Sequence, residues 1–172
     1  MQDLIKKSVR LLICSGGTGG HVYPALAAVA NLRVAFRSRP SQSDCGLTLR
    51  WVGTVGGMES SLVNQAGIAL AVVQASGVVG KGLTARVLGA LRLVWGTLQA
   101  LGIVRQFRPD IVFVTGGYSA VPVAVAAWLH RVPIAVYLPD IEPGLAVRWV
   151  ARLARKIMVT AEESQRFFRQ EK

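Results

Sequence analysis

The residues best suited to chemistry lie together near the N-terminus, in the run Ser15-Gly16-Gly17-Thr18-Gly19-Gly20-His21. It falls between an apolar stretch that reads as a strand and a helical pattern opening near Pro24. Glycines let the backbone turn sharply and approach a ligand closely. The N-terminus of the following helix then offers unpaired N–H groups and the positive end of a dipole, which suit a phosphate. Gly16, Gly17, Thr18, Gly19 and Gly20 are therefore candidate ligand-binding residues, with a bare tight turn as the alternative. The run lacks the Gly-Lys-Ser/Thr ending of a P-loop and the spacing of the dinucleotide fingerprint. His21 has the side chain type that titrates near neutrality, so it is the candidate base for an attacking hydroxyl. From spacing alone it serves equally well as a helix-start residue bonded to nearby backbone.

Three further turns carry polar or glycine-rich residues. Gly116, Gly117 and Tyr118 follow a buried strand pattern and are candidate substrate-binding residues, with Tyr118 either covering a ligand or capping the core. Tyr137 to Gly144 places Asp140 and Glu142 at another strand end, where a carboxylate orients a sugar hydroxyl, acts as a base or caps the next helix. Ser76 to Gly82 offers Lys81, a cation suited to phosphate. His130, beside Arg131 at a helix end, reads as structural.

The elements that must position these turns alternate regularly. Val9–Cys14, Leu47–Gly53, Ala69–Val73, Ile111–Thr115, Ile134–Leu138 and Ile157–Thr160 are apolar runs without polar alternation, as expected of strands buried on both faces. Helical patterns separate them at Pro24–Phe36, Glu59–Gln65, Thr84–Phe107, Val121–His130, Leu145–Ala154 and Glu162–Arg169. This order specifies an α/β fold with a doubly wound parallel sheet, in which ligands bind beyond the carboxyl ends of the strands. Arg37 to Gly46 is a polar connection. Leu83 to Val104 is long enough to cross a bilayer, but Arg86 and Arg92 make a helix lying on an apolar surface the better reading. The stripe Leu83, Val87, Leu91, Val94 and Leu98 is expected to pack mostly on the sheet, leaving Trp95 and the arginines to meet lipid.

Composition narrows the partners. The 172 residues suit one domain, and 52% are hydrophobic against 17% charged, with mean hydropathy +0.42, which excludes disorder. A net charge of +11 points to an anionic partner, either a phosphorylated substrate or an anionic membrane surface. Nucleic acid is not indicated, because no basic run is interleaved with aromatics. Cys14 and Cys45 suit neither a disulfide scaffold nor a zinc site, and no apolar stretch after Arg10 resembles a signal peptide. The simplest expectation is a reduced, cytoplasmic protein without metal or cofactor.

In order along the chain, Gly16 to Pro24, Trp51 to Thr54 with Met58-Glu59, Ser76-Gly77 with Gly80-Lys81-Gly82, and Pro109-Asp110 followed by Gly116-Gly117-Tyr118 resemble the MurG family of glycosyltransferases. The resemblance runs from about Leu11 to Phe168 and rests most firmly on the first motif. It implies a two-domain, Rossmann-like enzyme. The first domain of such an enzyme binds a lipid-linked muramyl-pentapeptide at the inner face of the cell membrane. The second holds UDP-N-acetylglucosamine. It further implies that Thr18, Gly19 and Gly20 face diphosphate, that His21 is catalytic and that Tyr118 lines the acceptor side. Where the family reads His-Glu-Gln-Asn, this chain has Tyr137-Leu138-Pro139-Asp140, which keeps a polar group at the fourth position and points to a related acceptor. Residues 1–172 then correspond to a single acceptor-binding domain, with the UDP-sugar bound by an absent C-terminal domain or by a separate subunit. The rival reading is a non-catalytic subunit that docks a split enzyme on the membrane. A nucleotide-binding regulatory domain is disfavoured, because the nearest acidic residue about twenty positions past the first loop, Asp44, lies in a polar connection.

Overall fold

The structure is a computed structural model and describes residues 8–38, 46–75 and 83–168, with side chains from residue 89 onward in the last span. Elements follow in the order β1 (Ser8–Cys14), α1 (Gly19–Arg37), β2 (Gly46–Thr54), α2 (Glu59–Gln65), β3 (Ala69–Val73), α3 (Leu83–Phe107), β4 (Ile111–Val114), α4 (Ala120–Leu129), β5 (Ile134–Leu138), α5 (Leu145–Ala151) and β6 (Lys156–Val159). A short 3₁₀ helix, Glu162–Phe167, closes the described chain. All strand pairs are parallel, in the order β3-β2-β1-β4-β5-β6. The doubly wound sheet expected from the sequence is present.

The central strand shows why its sequence lacks polar alternation. Successive side chains point to opposite faces of a strand. Leu12 and Cys14 enter one core with Val112, Val114, Val136 and residues of α3, α4 and α5. Leu11 and Ile13 enter the other with Val22, Ala25 and Val29 of α1, Trp51 of β2 and Val63 of α2. From Leu11 to Cys14 both faces of β1 are dry, so an apolar residue is needed at each of these four positions, while Arg10 before them is exposed.

Three helical expectations are corrected. Helix α1 begins at Gly19, five residues before Pro24, with Thr18 as its N-cap. Glycines 19 and 20 thus belong to the first turn, and Pro24 costs the helix one bond, since it has no N–H to give the Gly20 carbonyl. The last element is a 3₁₀ helix of six residues and not an α-helix. The third correction concerns α3. Its inward face is the row of small and medium residues Gly96, Ala100, Val104 and Phe107, whereas Leu91, Val94, Trp95 and Leu98 are all exposed. A small residue at 96 brings α3 onto the backbone of the β3 end: a Cβ there would collide with the Gln74 carbonyl oxygen. Close approach selected the small face, and Leu91, Val94 and Leu98 of the expected stripe were left outside, while Leu83 and Val87 lie outside the described side chains. No helix among the described residues is long and apolar enough to cross a membrane.

Candidate functional site

In a sheet of this order the winding reverses between β1 and β4, and the loops leaving the carboxyl ends of those two strands diverge to form a crevice. The glycine runs 15–21 and 115–119 are those two loops. Their bases are tied together. The Thr115 amide donates to the Cys14 carbonyl (3.2 Å), the Cys14 thiol to the Ser119 hydroxyl (3.4 Å) and the Thr115 hydroxyl to the His21 carbonyl (3.0 Å). Burial pushes the Cys14 thiol up to about 12, with the nearby Glu59 carboxylate adding to the rise against the lowering effect of the Ser119 bond. Cys14 is therefore a packing residue and no nucleophile.

Each glycine in the pair of loops has its own reason. Gly117 (φ +95°) sits under the first loop, where a Cβ would stand 2.6 Å from the Gly16 carbonyl oxygen. Gly116 (φ +149°) lies against the His21 ring, with a Cβ falling 2.5 Å from its Cδ2. Gly17 takes φ +86° at the sharpest point of the first loop. Gly16 makes room for Glu59, whose Oε1 would be 2.6 Å from a Cβ there. Gly17, Thr18 and Gly20 are exposed, and Gly19 is half-buried. In the first turn of α1 the His21 amide is taken by the Thr18 carbonyl (3.2 Å), whereas the Gly19 and Gly20 amides have no partner within the helix.

His21 projects from that first turn between two polar side chains. Its Nδ1 lies 3.1 Å from the Thr18 hydroxyl, and its Nε2 lies 3.5 Å from the Asp140 carboxylate beyond the end of β5. The sequence-predicted residues Thr18, His21, Gly116, Gly117 and Asp140 are thus brought to one place. Asp140 does not cap α5: that helix has Gly144 as its N-cap, with no side-chain bond. Tyr118 is 57% exposed at the rim of the crevice and does not cap the core. His130 Nδ1 meets the Ala126 carbonyl at 2.9 Å, the structural part expected of it. Lys81 and its glycine loop, like Cys45, lie outside the described residues. Among the described residues no three His, Cys, Asp or Glu side chains gather as metal ligands would.

Sequence reasoning counted Glu59 in the family resemblance but gave it no part in the site. It opens α2 yet is fully buried, and its carboxylate accepts from the Thr54 amide (2.7 Å), the Thr54 hydroxyl (3.1 Å) and the Gly17 amide (3.5 Å). The readable signal was the spacing of Gly53 and Gly57 around it, two positions where a Cβ would also strike the carboxylate.

The sequence pattern of the glycosyltransferase family 28 N-terminal domain matches residues 11–159. The chain belongs to this family. A family relative from Symbiobacterium thermophilum, a UDP-N-acetylglucosamine--N-acetylmuramyl-(pentapeptide) pyrophosphoryl-undecaprenol N-acetylglucosamine transferase, is 46% identical over 160 residues, covering 93% of this chain and 41% of its own. The transferase of the same name from Yersinia pseudotuberculosis is 40% identical over 152 residues, covering 88% of this chain and 40% of its own. The crystal structure of MurG from Acinetobacter baumannii superposes with a TM-score of 0.75 at 26% identity, over 90% of this chain and 42% of that one. A UDP-GlcNAc 2-epimerase from Neisseria meningitidis shares the fold alone, at 11% identity and a TM-score of 0.56 over 93% of this chain and 42% of its own. The chain spans about two fifths of the length of the curated relatives it matches.

Proposed function

We propose that this chain is the acceptor-side domain of an enzyme that transfers N-acetylglucosamine from UDP-N-acetylglucosamine to a sugar carried on a polyprenyl diphosphate. The observation that carries the reading is the placement of His21 at the switch point, between Thr18 and Asp140 and above Gly116. The family 28 relatives, which are named for transfer to N-acetylmuramyl-(pentapeptide) pyrophosphoryl-undecaprenol, support the reaction class and an acceptor on a polyprenyl diphosphate. The UDP-sugar is held by residues beyond this chain, in a further domain or in a separate subunit.

In this mechanism the exposed first turn of α1 receives the acceptor diphosphate, with the amides of Gly19 and Gly20 and the Thr18 hydroxyl as donors. Asp140 accepts from Nε2–H of His21, which fixes the tautomer whose lone pair lies on Nδ1. That lone pair meets the Thr18 hydroxyl in the free protein and takes the proton of the attacking sugar hydroxyl in the complex. A contact this open to water, with the side chains 23% and 57% exposed, adds little to stability. Its value is orientation. Tyr118 lines the acceptor side of the crevice, and Lys81 supplies a further cation toward phosphate.

The acceptor's lipid keeps it in the bilayer, so the domain must come to the surface of the membrane. Helices α3 and α4 leave Leu91, Val94, Trp95, Leu98 and Trp128 exposed, with Arg92 and Arg105 among them. We infer peripheral, salt-sensitive binding to the inner face of the cell membrane through this surface.

The test is a titration of the chain with a soluble short-chain polyprenyl diphosphate, followed by backbone amide NMR. Shifts at saturation are expected in Thr18, Gly19 and Gly20, and a loop that stays still removes the diphosphate seat. In an enzyme that joins this chain to its donor-binding part, His21→Ala is expected to lower kcat far more than it raises KM. An unchanged kcat would assign His21 to structure.

A further inference from the structure

Among the described residues Glu59 is the one charged side chain that is fully buried, and the proposed mechanism does not use it. A carboxylate removed from water is tolerated only with its lone pairs satisfied, and apolar residues of like size usually serve stability as well or better. Here the chain gives up side chains at three separate places to house it. Cβ atoms at Gly16, Gly53 and Gly57 would each collide with the carboxylate. The three glycines belong to the β1–α1 loop, the end of β2 and the turn into α2. One carboxylate thus gathers the backbone on which the candidate site rests.

The hydrogen bonds show what this gathering does. Oε1 is held by Thr54 through its amide and its hydroxyl, so Glu59 is anchored to the end of β2. Oε2 faces the Gly17 amide at 3.5 Å. Gly17 is the residue with φ +86°, the point at which the loop reverses. Its amide turns inward to an internal anion, and the chain then enters α1 with Thr18, Gly19 and Gly20 at the crevice side.

We propose that Glu59 is a positioning residue: an internal carboxylate that takes the Gly17 amide for itself and so sets the loop in the form that offers the next amides to the acceptor diphosphate. The inference rests on the reading of that loop as the diphosphate seat. Glu59 itself touches no substrate.

Glu59→Gln keeps the size and replaces one acceptor oxygen with an NH₂ group that cannot accept from Thr54 or Gly17. The expected result in the ligand-free chain is a displacement of the Gly17, Thr18 and Gly19 amide resonances. Affinity for the short-chain polyprenyl diphosphate should fall roughly tenfold, as loss of about 1.4 kcal/mol of hydrogen bonding would give. Val63→Ala, a cavity in the same helix, is the control for simple destabilisation, and it should lower the melting temperature while leaving the loop resonances and the affinity in place. If Glu59→Gln proves too unstable to study, Thr54→Val removes one anchoring donor and should move the same resonances less far. Loop amides unmoved in a folded Glu59→Gln or Thr54→Val chain overturn the proposal, as does a Val63→Ala chain that moves them equally. Should the wild-type chain bind no diphosphate while Glu59→Gln still displaces the loop, the positioning role stands and the diphosphate reading fails.

Discussion

The turns after β1 and β4 are both built on adjacent glycines and both end at the same crevice, but glycine is used in opposite ways. In the β4–α4 turn, Gly116 and Gly117 are positive-φ residues pressed against the first loop, one under the His21 ring and the other under the Gly16 carbonyl. They face protein. In the β1–α1 segment Gly16 is closed over Glu59 and Gly19 stands against the Tyr23 ring, while Gly17 and Gly20 are open to solvent. One turn is a seat and the other is what sits on it. A glycine-rich strand end is therefore not by itself a ligand site; what a Cβ would strike at each position separates the two uses.

The largest effect should come from Gly117→Ala. Its φ of +95° is strained for any side chain, and the atom 2.6 Å from the new Cβ is backbone, which cannot swing aside. Together these terms should cost about 3 kcal/mol, lowering the melting temperature by roughly 6–12 °C. A chain that melts within a degree of wild type would mean that the second turn does not support the first. Gly116→Ala carries backbone strain as well, at φ +149°, but the atoms its Cβ meets belong to a movable imidazole and not to backbone, so it should cost less, about 2 kcal/mol. Its mark should be local: the His21 ring is pushed away from Asp140, and its side-chain resonances shift while the loop amides stay. Unmoved His21 resonances would show that the ring has room that the packing here does not give it.

How much of this was readable beforehand follows from which interactions are local. The strands and their order of alternation with helices were legible because burial on both faces writes itself as continuous apolar runs. Ala69–Val73 and Ile134–Leu138 have the ends expected of them. The start of α1 was not, since Gly19 and Gly20 read as loop residues by intrinsic preference and are helical here through Thr18, whose carbonyl takes the His21 and Val22 amides. The inward face of α3 was misjudged because periodicity marks the large apolar stripe, whereas close approach to Gln74 required the small one. Within the site, Thr18, His21 and Asp140 were named as candidates, but the pairing of His21 with Asp140 spans 119 positions and no local pattern encodes it. Glu59 was hidden for the same reason: its partners are contributed by three separated segments.

The smallest effect is the most discriminating, and it comes from Gly20→Ala. Gly19 is a poor site for the test, because a Cβ there would stand 3.1 Å from the Tyr23 ring. At Gly20 the nearest atom is the Thr18 hydroxyl oxygen at 3.8 Å, an ordinary contact, and the position lies in the first turn of α1. Alanine loses less backbone entropy than glycine on entering a helix, so the variant should be stabilised by about 0.5 kcal/mol, roughly 1–2 °C in melting temperature. If the exposed first turn is where a diphosphate approaches the backbone, the added methyl stands between ligand and amide, and affinity for the short-chain polyprenyl diphosphate should fall several-fold. Stability and binding then move in opposite directions, which no packing defect produces. A variant that is more stable and binds as well as wild type would leave Gly20 with no ligand to make room for, and the first loop would be a turn like the second.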